Sequence, residues 1–286
     1  MQSVTATVNA TNVSTLFATA NGKNIAYRSL GEGTPFILCQ RFRGNLDDWD
    51  PLFLDLLAVN YQVIIFNYSG MGSSTGEPNS DMKSFAQDVI DLADYLSIDR
   101  FLLGGWSLGG WVAQIATTSF PSRVQQLVLI GTKPPGQVTH PVEEIFLKTA
   151  YIEDYTFEHE IILFFEPISE RSKQAAWASH QRINARTDRD PKVKPEVWQY
   201  YGMGAEDYSK DPYDARRKLT ETNIPILVIS GDHEVCFPPE NWFELNRQLP
   251  TTQVVVMPRA GHGPHHQHPE MTTRYIHAFI EEHANA

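Results

Sequence analysis

Arg100-Phe101-Leu102-Leu103-Gly104-Gly105-Trp106-Ser107-Leu108-Gly109-Gly110 runs from a short apolar stretch into a serine flanked by glycines, and a helix-period segment follows. The apolar run Arg100–Gly104 reads as a strand, and the segment from about Leu108 to Thr118 as a helix. Gly105-Trp106-Ser107-Leu108-Gly109 between them matches G-x-S-x-G. A strand that turns abruptly into a helix needs glycines two residues either side of the apex, where a Cβ would clash. Ser107 at that apex projects from the sheet edge as a nucleophile, and the N–H of Leu108 faces a developing oxyanion. The pentapeptide alone also fits a glycine-rich turn around a buried serine; the strand before it and the helix after it favour the nucleophile.

Working outward, the same alternation recurs. Thr15–Ala20 and Asn24–Leu30 flank Asn21-Gly22 and read as a hairpin. Pro35–Cys39, Gln62–Phe66, Leu127–Thr132, Pro225–Ser230 and Val254–Met257 are short apolar runs, as expected of strands buried on both faces. Asp81–Leu96 has apolar residues at three- and four-residue steps, predicting an amphipathic helix begun by Asn79 or Ser80, and Pro269–Glu282 predicts a closing helix. Strand–helix–strand alternation gives a mainly parallel sheet covered by helices. From Lys133 to Arg217 the rhythm breaks into a helical, aromatic-rich interval, which reads as a cap inserted between two strands.

A chain of 286 residues suits one large α/β domain with an insertion. A hydrophobic share of 42% and a charged share of 20% are ordinary for a globular enzyme. The net charge of −11 argues against a nucleic-acid partner and against anionic membrane surfaces, leaving a small-molecule substrate as the expected partner. The first residues carry no basic, apolar export pattern, and no run is long enough to span a bilayer, so a cytoplasmic location is expected.

A serine hydroxyl needs a base, and the base needs an orienting acid. His262, in Ala260-Gly261-His262-Gly263 just past the last strand, is placed to swing over Ser107. His265, His266 and His268 follow closely and read as a polar surface loop; the sharper alternative, a metal site, lacks a second ligand cluster, and no metal is expected. The acid belongs after Pro225–Ser230, where Asp232 and Glu234 compete.

The elbow, this chain order and Gly231-Asp232-His233-Glu234-Val235-Cys236-Phe237-Pro238 together resemble the α/β-hydrolase superfamily over nearly the whole chain outside the cap. The resemblance implies an eight-stranded, mainly parallel sheet flanked by helices, with 1–132 and 218–286 as core and 133–217 as helical cap. Its register, a glycine, the acid three residues on and a proline four further, implies Glu234 as the acid, with Asp232 bracing the loop. It also places Asn67-Tyr68-Ser69-Gly70-Met71-Gly72-Ser73-Ser74 as the loop after the fourth strand, with Asn67 where relatives carry aspartate. Register against the family's His-Gly loop makes Phe42 the second oxyanion N–H beside Leu108.

That loop reads Gln40-Arg41-Phe42-Arg43-Gly44 here, a departure from the family. Arg41 either pairs with Asp47 or Asp48 or anchors a substrate carboxylate. Trp106 is a second candidate substrate contact, and the insertion's Tyr151, Tyr155, Phe164, Phe165, Trp177, Trp198, Tyr200 and Tyr201 divide between pocket lining and the insertion's own core. The family strand order sets Cys39 and Cys236 three strands, roughly 14 Å, apart, too far for a disulfide. Gly131-Thr132-Lys133-Pro134-Pro135 and the elbow are similar to the esterase, lactonase and haloperoxidase-like branches, including acyl-homoserine lactonases. The resemblance therefore implies a cofactor-free serine hydrolase cleaving an ester or lactone of a moderately apolar substrate. A carbon–carbon bond hydrolase with the same triad, or a non-catalytic receptor on this fold, remains the alternative.

Overall fold

The computed structural model describes residues 9–284. The first eight residues, on which part of the export reading rests, and the last two lie outside that range. Eight strands form one sheet in the order β1-β2-β4-β3-β5-β6-β7-β8. They are β1 (Leu16–Ala20), β2 (Lys23–Leu30), β3 (Thr34–Cys39), β4 (Tyr61–Phe66), β5 (Phe101–Trp106), β6 (Val124–Ile130), β7 (Ile226–Gly231) and β8 (Thr252–Met257). From β4 across to β8 every pairing is parallel, while β1 and β2 join antiparallel through Asn21 (φ 49°) and Gly22 (φ 77°). Two successive residues at positive φ match the twist of a tight hairpin, which explains the Asn-Gly pair.

β5 and β7, both interior to the sheet, are buried at every position, so their sequences are continuous apolar runs. On one face α2 (Met82–Tyr95) and α3 (Leu108–Ser119) pack over Ile37, Ile64, Leu103 and Val228. On the other, α1 (Pro51–Ala58) and α11 (Pro269–Glu282) pack over Phe36, Leu38, Val63 and Ile229.

Several element boundaries differ from the sequence expectation, three of them for a clear tertiary reason. β5 runs on past Gly104 to Trp106, because Cys39 and Ile130 on its two neighbours pair with Gly105 and Trp106. β6 lies earlier than expected and stops at Ile130, because Gly131 takes φ 50°. α2 is capped not by Asn79 or Ser80 but by Asp81, whose carboxylate accepts from Ser84 N at 2.9 Å. Asn79 is instead buried, donating to Asp88 Oδ2 at 2.6 Å.

Between β6 and β7 the chain is helical: α4 (Glu144–Ala150), α5 (Phe157–Phe164), α6 (Glu170–Ile183), α7 (Trp198–Lys210) and α8 (Ala215–Glu221); the short α9 (Glu240–Phe243) follows β7. α8 crosses the expected boundary at 217; its Ala215 and Leu219 join the core beside α3. Asp190, in the return from α6, accepts from Asn67 Nδ2 at 2.8 Å and from Ser73 Oγ, tying this segment to the loop after β4. Asparagine at 67 supplies the donor that a second carboxylate would lack. Among the described residues, no helix is long and apolar enough to cross a membrane.

Candidate active site

Ser107 stands between β5 and α3 at φ 60°, ψ −123°, a left-handed conformation for a residue with a Cβ. Such a conformation costs of the order of 1–3 kcal/mol and persists only where the surroundings impose it. Here they do: Ser107 N donates to Ile130 O at 2.9 Å, and Thr132 Oγ1 donates to Ser107 O at 2.9 Å. A Cβ at position 105 would lie 2.1 Å from Gly109 O, and one at position 109 would lie 2.0 Å from Cys39 O. Both glycines are therefore demanded by backbone passing backbone.

Glu234 follows β7 and is completely buried at its side chain. Its Oε1 accepts from Cys236 N (2.8 Å) and Phe237 N (3.1 Å), and its Oε2 meets His262 Nδ1 at 2.8 Å. That bond holds the proton on Nδ1 and leaves Nε2 as the basic nitrogen. The imidazole is walled by Phe146, Phe164, Phe237 and Trp106. Ser107 and His262 line one small cavity together with Arg41, Phe42 and Phe164. Asp232, more than a third exposed, accepts from Ala260 N at 3.3 Å and contacts His233 Nδ1 at 2.7 Å. It braces the two loops, while the carboxylate that meets His262 is that of Glu234.

The loop opposite Ser107 is held from within. Gln40, fully buried, accepts from Arg41 N and donates to Asn45 O, both at 2.8 Å. Arg41 donates to Asp48 Oδ1 (2.8 Å) and Phe42 O (2.7 Å), and its guanidinium lies 4.8 Å from the Phe164 ring centroid. Asp48 rather than Asp47 is its partner, because Asp47 is taken by Arg28 Nη1 at 2.6 Å. Arg43, which no sequence pattern singled out, reaches across to the insertion. It donates to the carbonyls of Ala150 (2.9 Å), Ile152 and Glu153 (both 2.6 Å) and stacks 3.8 Å over Trp198.

Trp106 is fully buried, donates through Nε1 to His262 O at 2.8 Å, and borders neither cavity that Ser107 lines. One expectation is corrected. His265 and His266 are not a surface loop. They form a short helix, α10 (Pro264–Gln267), under α1, and both are buried. Trp49, Phe53 and Trp106 surround the His265 ring at 5.4, 5.0 and 4.5 Å, and neither of its nitrogens has a hydrogen-bond partner. Burial holds its pKa well below the usual value and lowers that of His266 to about 3. His268 is partly buried. Among the described residues no group of three or more His, Cys, Asp or Glu side chains could hold a metal ion. Cys39 and Cys236 are buried free thiols, and burial raises the pKa of both.

Ser107 also opens onto a larger cavity of about 380 Å³, bounded by Phe42, Leu108, Trp111, Lys133, Tyr201 and Phe237 among others. Of the insertion's aromatics, Tyr151 and Tyr201 line this cavity, and Tyr155 and Phe164 the small one. Phe165 is core, Trp177 is half exposed, and Trp198 borders a separate polar chamber. Tyr200 is partly exposed. No sequence pattern marks Lys133 as a site residue, because its surroundings come from α3 and α7, far away in sequence. Burial lowers its pKa to about 8, with Arg216 adding to the effect.

The family model for the alpha/beta hydrolase fold matches residues 34–269. The chain is 24% identical to a pimeloyl-[acyl-carrier protein] methyl ester esterase of Legionella pneumophila, over 90% of this chain and all of that one. Among solved structures, an alpha/beta hydrolase fold protein from Chitinophaga pinensis superposes with a TM-score of 0.85 at 27% identity, covering 96% of this chain and 99% of that chain. A meta-cleavage product hydrolase from Pseudomonas fluorescens superposes with a TM-score of 0.74 at 19% identity, covering 94% and 98%, a likeness of fold.

Proposed function

Since the chain belongs to the alpha/beta hydrolase fold family, we propose that this enzyme is a serine hydrolase that cleaves an ester or lactone by acyl transfer to water. The observation that carries the reading is the buried 2.8 Å contact between Glu234 and His262 Nδ1, with Ser107 on the wall of the same cavity.

In this reading His262 Nε2 takes the Ser107 proton as Oγ attacks the substrate carbonyl, and the buried Glu234 carboxylate stabilises the imidazolium. The N–H groups of Phe42 and Leu108 receive the oxyanion. Collapse of the tetrahedral intermediate expels the alkoxide, which takes its proton from His262. Water then attacks the acyl-serine while His262 removes one of its protons, and the acid departs as Ser107 is reprotonated. The helical segment 133–217 acts as the cap, with Arg43 fastening its near end to the oxyanion loop. The larger cavity, apolar over most of its wall, takes the substrate's hydrocarbon portion. No step calls for a metal or an organic cofactor.

A fluorophosphonate probe tests this directly. It should label the wild-type protein at Ser107, and Ser107→Ala should both abolish labelling and lower kcat on a responsive ester by about 10³-fold or more. An unlabelled Ser107, or near-wild-type turnover by the variant, overturns the reading.

A further inference from the structure

Among the described residues, Lys133 is the one lysine or arginine on the wall of the larger cavity, and no aspartate or glutamate lies on it. The chain enters this position from Gly131-Thr132 and leaves through Pro134-Pro135, so the backbone is stiff. It is pinned as well: the Lys133 carbonyl accepts from Gln114 Nε2 and Tyr208 OH, both at 3.1 Å. The side chain is buried and its ammonium has weak company, Gly136 O and Ser209 Oγ at 3.4 Å each. The rings of Trp111 and Tyr208 stand 5.7 and 5.6 Å from Nζ. Among the described residues it makes no ion pair.

A buried cation without a counter-ion is costly, and a protein retains one where something else supplies the charge. Arg41, a second cation near Ser107, is already paired with Asp48, and it also donates to Phe42 O and faces the Phe164 ring. Among the described residues Lys133 has no such counter-ion. A chain with a net charge of −11 repels anions at long range, so an anionic substrate needs a local cation inside the cavity.

We propose that Lys133 selects substrates bearing a carboxylate remote from the scissile carbonyl, such as monoesters of short aliphatic dicarboxylic acids. The proposal rests on the serine-hydrolase reading for turnover, and on the cavity alone for binding. Lys133 is a specificity residue; it takes no part in bond making.

The test compares p-nitrophenyl hydrogen adipate with p-nitrophenyl 6-methylheptanoate, whose isopropyl end copies the shape of the carboxylate. At pH 7 the wild-type kcat/KM ratio of anionic to neutral ester should be about 10- to 100-fold, the range of a hydrogen bond to a charged group. Arg216 of α8, Cys236 after β7 and Tyr208 of α7 face Lys133, and His140 shares the cavity wall. Since the lysine loses its proton around pH 8, the ratio should fall as pH rises past that point. Lys133→Met should bring the ratio to about one, and Lys133→Arg should keep it while removing the pH dependence. A wild-type ratio at or below one across the pH range, or an unchanged ratio in Lys133→Met, overturns the proposal.

Calorimetric titration of Ser107→Ala with monomethyl adipate and methyl 6-methylheptanoate separates the two readings. Tighter binding of the anion, lost on adding Lys133→Met, supports the anion site even where hydrolysis fails. Equal binding of the two ligands overturns it even where Ser107 proves to be the nucleophile.

Discussion

Two carboxylates stand two positions apart after β7 and live in opposite surroundings. Glu234 is buried, uses one oxygen on two backbone N–H groups and the other on His262, and so has no freedom to rotate. Asp232 is partly open to solvent and holds Ala260 N. Glu234→Gln puts an amide where His262 needs an acceptor and invites the wrong tautomer, so kcat should fall by about 10³- to 10⁴-fold. Asp232→Asn keeps the loop's acceptor and should cost less than about tenfold in kcat. Steady-state kinetics on one ester decides between them, and the reverse order would reassign the acid. Sequence alone left these two open, because both follow the same strand; only the family's register separated them. Arg41 was similarly undecided between two neighbouring acids, and what settled it was Arg28, a residue on β2 that occupies Asp47.

At the scale of elements, one arginine fastens the loop after β3 to the start of the insertion, beside a ring contact between Phe42 and Tyr151. Arg43 sits at φ 61° with its guanidinium spread over three carbonyls of residues 150–153 and two aromatic rings. Arg43→Met removes those hydrogen bonds and the cation–π contact while keeping much of the stem. Stability should drop by about 1–3 kcal/mol in chemical denaturation, and limited proteolysis should begin between α4 and α5. The interior strands were legible in advance because such strands must be apolar throughout, as Ile226–Gly231 is; their order came from the resemblance to the family. The clamp was not legible, since an arginine and bare carbonyls about 107 to 110 residues away leave no pattern. The start of α2 was missed for the same kind of reason: Asn79 has a cap residue's chemistry, but Asp88 claims it.

For the molecule as a whole, the misread histidines set an acid limit. His265 and His266 are buried without charge, and His266 stays neutral in the fold down to about pH 3. In the unfolded chain both bind protons below about pH 6.5. The unfolded state therefore holds more protons than the folded one as pH falls through that value, and stability must decline with it. Between pH 6.5 and 5, before most carboxylates titrate, each histidine should cost up to about 2 kcal/mol. Urea unfolding at pH 7, 6 and 5 should reveal the slope. His265→Phe, which fits the ring of Trp49, Phe53 and Trp106, should roughly halve it. An unchanged slope would locate the acid sensitivity elsewhere. A cluster of histidines looks polar on paper; its burial depends on Trp49 and α1, some two hundred residues earlier, folding over it.

The two unpaired thiols give the molecule a built-in set of gauges. Cys39 is at the inner end of β3, shut inside the sheet, whereas Cys236 forms part of the larger cavity wall two residues from Glu234. Because burial keeps both in the unreactive protonated form, neither is alkylated quickly while the fold is closed. Modification of Cys39 then times the opening of the sheet itself. Modification of Cys236 times the opening of the acid loop or the emptying of the cavity. The chain thus reports, at two separate addresses and without any introduced label, how far its catalytic half can loosen before its scaffold does.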